Sequence, residues 1–201
     1  MINNFFAKIK SRGFTLVETL IAISVLAVTI TGPLAIAQKG LQAALIAKDQ
    51  ITAFYLAQDA IEYIRYARDT NCLVAGGGSS GCPAAQWLAG NGSASQDVNL
   101  TPCVSSGGTA ACTIDVIALT QPAACAGGVC SAINYDSTNN YFTYASGAAS
   151  IFTRTIKIIS PVCGTSGSPC NANEAAIAVT VTWKDPISHS ITVNENIDDW
   201  Q

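Results

Sequence analysis

Between Phe14 and Ala37 the chain carries a single charge, Glu18, in a stretch dominated by Leu, Ile, Val and Ala. At about 1.5 Å per residue this segment makes a helix of about 36 Å, enough to cross the ~30 Å hydrocarbon core of a bilayer. Ser24, Thr29 and Thr31 interrupt the apolarity, but a helix lets such hydroxyls bond to carbonyls one turn back. Gly32-Pro33 predicts a kink, because proline removes one helical hydrogen bond. Lys8, Lys10 and Arg12 precede the stretch without an intervening acid, which places the N-terminus in the cytoplasm and the rest of the chain outside. Glu18 is the residue that needs explaining. A carboxylate inside the apolar phase costs on the order of 3 kcal/mol, so it either snorkels at the interface or has a partner.

The run Gly13-Phe14-Thr15-Leu16-Val17-Glu18, preceded by the basic residues, resembles the cleavage and methylation motif of type IV pilins and type II secretion pseudopilins. The likeness is specific from Lys8 to about Ala37. It implies that a prepilin peptidase cuts between Gly13 and Phe14, and that the new amino group of Phe14 is methylated. It also implies a filament whose core is the apolar helix, with other pilin-like subunits as partners. In that family the glutamate that falls on Glu18 pairs with the N-terminal ammonium of a neighbouring subunit. In a water-poor helix bundle each of those charges is costly alone and tolerable only when paired. Pro33 falls slightly earlier than the proline usual in many pilins.

A second reading competes at the same residues. Ala35-Ile36-Ala37 is an A-x-A pattern after an apolar run, with Pro33 just before it. An ordinary signal peptidase would then cut after Ala37 and release an exported soluble, disulfide-rich binding domain beginning at Gln38. The basic leader fits both readings, whereas a glutamate entering the apolar run fits the first far better.

The formal charge is 10 − 13 = −3, and removal of a leader with three bases and no acids leaves 7 − 13 = −6. An acidic exterior argues against general binding to phosphate backbones. It leaves a DNA or surface ligand resting only on the long loops. Eight cysteines, Cys72, Cys82, Cys103, Cys112, Cys125, Cys130, Cys163 and Cys170, all lie beyond the apolar run. Their even number, in Gly-, Ser- and Ala-rich loops, points to disulfides in an oxidising compartment. The cysteines allow 105 connectivities in principle. The local one is expected: Cys72–Cys82, Cys103–Cys112, Cys125–Cys130 and Cys163–Cys170. With one histidine and no C-x-x-C, a zinc site is the weaker reading.

The expected fold is α+β: a long N-terminal helix, transmembrane in its first half, packed on a C-terminal antiparallel sheet with disulfide-pinned loops. The expected segments are a leader at 1–13, a membrane or filament-core helix at 14–37, an amphipathic half at 38–70 and a globular head at 71–201. In the amphipathic half Leu41, Leu45, Ile51, Phe54, Ile61 and Ile64 recur near helical spacing, and the helix is expected to end near Arg68. Asn71 to about Thr113 reads as loop, with Trp87 and Leu88 as anchors. Ile114–Leu119, Tyr141–Tyr144 and Phe152–Ile159 read as strands. Ala176–Lys184 alternates cleanly, with Ile177, Val179, Val181 and Trp183 on one face, and Ile191, Val193 and Ile197 mark a further strand. Val179–Trp183 also resembles a strand of several minor pilins and pseudopilins.

Little else suggests chemistry. His189 has no G-x-S-x-G nucleophile elbow to serve and reads as a lone surface histidine. Glu195, Asp198 and Asp199 cluster in sequence and could hold calcium with loop carbonyls, or form a solvated acidic tail. Gly76–Gly78 lacks the Gly-Lys-Ser/Thr of a P-loop. Tyr135, Tyr141 and Tyr144 read as an adhesive patch or, better, as packing. Asn91-Gly92-Ser93 and Asn99-Leu100-Thr101 match the N-glycosylation pattern. The reading is a non-enzymatic structural subunit with no cofactor or metal, minor rather than abundant given its long cysteine-rich head.

Overall fold

The computed structural model describes residues 13–74, 82, 86–90, 92, 97–105, 108–162, 171 and 173–199. The chain divides into two compact units, Met1–Ala47 and Lys48–Gln201. Helix α1, Leu16–Val74, begins in the first and ends in the second.

In the first unit α1 has no element packed on it among the described residues. Leu20, Ile21, Leu26, Val28 and Leu34 are all more than half exposed. The helix runs through Pro33 and on past Ala37 without a break.

The second unit is a head in which the last seven turns or so of α1 lie on one face of a sheet. The buried positions are Ala53, Leu56, Ala57, Ala60, Ile61, Tyr63, Ile64 and Ala67, spaced by three and four residues. Four are alanines at 0% exposure, so this face has little side-chain bulk to hold the backbone away from the sheet. Ile51 and Phe54, read from sequence as part of the packing stripe, are 57% and 45% exposed. The real stripe lies to one side of them because small alanines, not the largest apolar residues, suit close approach. The helix also continues past Arg68 to Val74, carrying Asn71 and Cys72 into the core.

Among the described residues the sheet has eight strands: β1 Val104–Ser105, β2 Cys112–Thr113, β3 Ala123–Ala124, β4 Ala132–Asp136, β5 Tyr141–Thr143, β6 Ala148–Ile159, β7 Glu174–Lys184 and β8 Ser188–Asp198. Strand β7 is central to its long half, pairing antiparallel with β6 on one side and β8 on the other. The other side of β6 is shared by β4, β2 and the parallel β1. Strand alternation is as expected on β7: Ile177, Val179, Val181 and Trp183 are buried, and the intervening residues are half-buried.

One strand expectation is corrected, and one strand is added. Residues 114–119 do not form a strand, because the Asp115 carboxylate accepts from the amides of Ile117 and Ala118 and folds the segment into a turn. Strand β4 went unread because Ala132–Asp136 lacks clean alternation; it is closed instead by its turn. There Asp136 accepts from the amides of Thr138 and Asn139 and from the Ser146 hydroxyl. Gly147 follows at φ +90°, where a Cβ would lie 2.4 Å from the Tyr135 carbonyl oxygen. Only glycine fits there.

Three local disulfides brace the head: Cys72–Cys82, Cys103–Cys112 and Cys125–Cys130. The expected fourth pair, Cys163–Cys170, lies outside the described residues.

Candidate functional site

Gly13, Phe14 and Thr15 precede α1, and Thr15 caps it. The amide of Glu18 donates to the Thr15 hydroxyl at 3.3 Å and to the Thr15 carbonyl at 3.1 Å. Thr15-x-x-Glu18 thus has the spacing of a capping box, a signal visible in the sequence and missed there. Glu18 sits in the first turn, where the helix dipole favours a negative charge. The dipole stabilises a carboxylate by about 0.3–1 kcal/mol at an exposed site, less than the ~3 kcal/mol of placing it in the apolar phase. The cap therefore orients Glu18 without fully offsetting its burial in lipid or protein. A cationic partner would supply the difference.

Gly13 is exposed and open, with no atom within 4 Å of where a Cβ would stand. Phe14 is 79% exposed. The peptide between them is thus unobstructed by the rest of the described chain. Beyond Thr15 the hydroxyls of the apolar run bond back to their own helix. Thr19, Ser24, Thr29 and Thr31 each donate to the carbonyl three residues earlier, at 2.8–3.0 Å. With those donors satisfied, Glu18 is the one strongly polar side chain between Phe14 and Ala37. By length and composition α1 can cross a membrane, and its most apolar window is entirely unburied.

Residues 8–32 match the family model described as the prokaryotic N-terminal methylation motif. The chain carries a prepilin-type N-terminus. That motif is the hallmark of pilin and pseudopilin precursors, which a prepilin peptidase processes and which assemble with other pilin subunits. Motif and apolar helix together fit a single-pass membrane precursor whose mature form ends up in an extracellular filament. No curated protein and no solved structure shows a significant match to the chain.

The head residues singled out in the sequence are dispersed. His189 stacks on Trp183, with centroids 5.4 Å apart, at the end of a row of rings running through Phe152, Phe142 and Tyr135. Glu195 points inward from β8 and accepts from Arg65 Nε at 2.8 Å, while Arg65 also holds Glu62 at 2.7 Å. Asp198 is exposed and Asp199 is buried, so adjacent carboxylates diverge rather than converge on an ion. Among the described residues no group of three His, Cys, Asp or Glu could hold a metal. Gly76–Gly78 lies outside the described residues. Tyr144 packs against the core, and Tyr135 is 38% exposed.

Two buried polar centres that sequence reading missed hold the head together. Arg154, on β6, is fully buried. Its guanidinium donates to the carbonyl of Leu56 on α1 at 2.9 Å and to that of Ile114, thereby stapling helix to sheet. Burial pushes its pKa down, against the pull of Tyr144, Asp59 and Asp115 nearby. The Tyr144 hydroxyl stands beside it without completing a hydrogen bond of normal geometry. Asp115 is pushed up by burial, but bonds from Thr143, Ala118, Tyr144 and Ile117 outweigh this and hold its carboxyl below the usual range. Asn71, at 0% exposure, is the second centre. Its Nδ2 donates to the carbonyls of Trp87 and Val98, and its Oδ1 accepts from the Val98 amide. One side chain thereby pairs the end of α1 with the loop as a strand would.

Proposed function

We propose that this chain is a pilin-like structural subunit of a type IV pilus or type II secretion pseudopilus, present as a minor component. Cleavage after Gly13 frees the amino group of Phe14 for methylation. Glu18 then sets axial register by pairing with the N-terminal ammonium of a neighbouring subunit. The observation that carries this reading is the uncovered apolar stretch of α1 up to Ala37, whose single charge lies in the first turn, beside an open Gly13–Phe14 peptide. The three described disulfides support a specialised head. Assembly needs no catalytic constellation. The test is the N-terminal residue and intact mass of the protein recovered from its native envelope. A chain beginning at Phe14 with one extra methyl is expected. A chain beginning at Gln38 would overturn the proposal in favour of an exported binding domain.

A further inference from the structure

Of the two acceptor patterns in the chain, Asn99-Leu100-Thr101 lies wholly on described residues, and its geometry is specific. Val98 and Leu100 are buried, at 7% and 0% exposure, while Asn99 between them is exposed. The backbone beneath it is pinned on all sides. The amide of Val98 donates to Asn71 Oδ1 at 3.0 Å, and that of Leu100 to the Leu88 carbonyl at 2.8 Å. Gln121 spans the segment, accepting from the Asn99 amide at 2.8 Å and donating to the Asp97 carbonyl at 2.6 Å. Asn99 is therefore displayed on a fixed pedestal rather than packed.

The side chain itself is engaged on one atom. Asn99 Oδ1 accepts from the Thr101 amide at 2.9 Å and from the Thr101 hydroxyl at 2.6 Å. Among the described residues Nδ2 has no partner and faces solvent. Two donors on the carbonyl oxygen stabilise the negative charge that grows there as an amide N–H proton leaves, so they ease loss of that proton. The threonine required by the pattern is thus in contact with the atom through which it would act.

We propose that Asn99 is an N-glycosylation acceptor, taking a glycan from a lipid-linked sugar diphosphate at the outer membrane face through a separate transferase. Nδ2 attacks C1 of the first sugar. The Nδ2–C1 bond forms, and the C1–O bond breaks with its electron pair to the phosphate oxygen. The lipid diphosphate leaves, and the Nδ2 proton passes to a base of the transferase. No redox partner is needed. The site requires only that the head be outside the cytoplasm, which holds for a pilin subunit and for an exported domain alike.

Tandem mass spectrometry of the Asn99-containing peptide, from full-length protein recovered from its native envelope, tests the proposal. The expected spectrum shows a series of sugar increments on Asn99. The increment is lost completely in Asn99→Gln and Thr101→Ala, and is retained in Thr101→Ser. Unmodified Asn99 in the wild-type protein would overturn it, as would an increment that persists in Thr101→Ala. The N-terminal residue is read in the same digest, so failure here and failure of the pilin reading are separate results.

Discussion

Ile21 and Ile64 belong to one helix, yet the first is 56% exposed and the second is at 0%. Propensity cannot separate them, since both are β-branched residues in a helical run. What differs is the company. In the head, Ile64 joins the buried core cluster, and burying a side chain of that size contributes about 1.5–3 kcal/mol. Among the described residues of the first unit no element covers Ile21, Leu26 or Leu34. So long an exposed apolar face is stable only in lipid or against other helices. The polar residues follow the same division. In the first unit hydroxyls satisfy their own backbone one turn back, whereas in the head Arg154 and Asn71 reach across the fold. The first unit therefore depends on a neighbour and the second on its own interior.

If that division is right, each unit breaks without disturbing the other. On the first unit the largest effect is expected from Glu18→Ala. Filament incorporation, measured by shearing and quantifying assembled subunits, falls at least about tenfold, as loss of roughly 1.4 kcal/mol or more of pairing requires. Processing and the thermal midpoint of the detergent-solubilised mature protein stay unchanged. Normal assembly by this variant would remove Glu18 from the mechanism.

Arg154→Ala reverses the pattern. Leaving the buried carbonyls of Leu56 and Ile114 without a donor and opening a cavity is expected to destabilise the head by about 3–5 kcal/mol. Cleavage at Gly13 persists. Chemical denaturation followed by the Trp87 and Trp183 fluorescence measures this, and a loss below about 1 kcal/mol would show that the staple is dispensable. Asn71→Ala is expected to cost about 2–4 kcal/mol, since three buried backbone groups lose their partner at once. Limited proteolysis between residues 86 and 100 is its most direct readout.

Removal of the Cys125–Cys130 bridge by paired alanines should cost less, about 2 kcal/mol, because the closed loop is short. The smallest effect is one of pH. The carboxyl of Asp115 titrates below its ordinary value in the folded head, so its contribution is present above the unfolded pKa near about 4. That contribution is lost as pH falls through the lower folded value. Asp115→Asn should therefore lower stability at neutral pH and flatten the decline measured below about pH 4. A variant whose acid transition matches the wild type would assign that decline to other carboxylates.

Local pattern carried the N-terminus almost completely. A basic run, a small residue before an aromatic one and a lone acid in an apolar run are one-dimensional features, legible without this chain's own fold. The strands β7 and β8 and the positions of the described bridges were legible for a similar reason. Period-two alternation and short loops between cysteines are local. What sequence could not reveal depends on contacts far apart in the chain. Arg154 reads as one more surface cation until Leu56 and Ile114 are seen to receive it, 98 and 40 residues away. Asn71 reads as the start of a loop until Val98 closes on it. The alanine stripe was passed over in favour of larger neighbours because hydrophobicity scales rank side chains by size. Close packing of a helix on a sheet rewards their smallness instead.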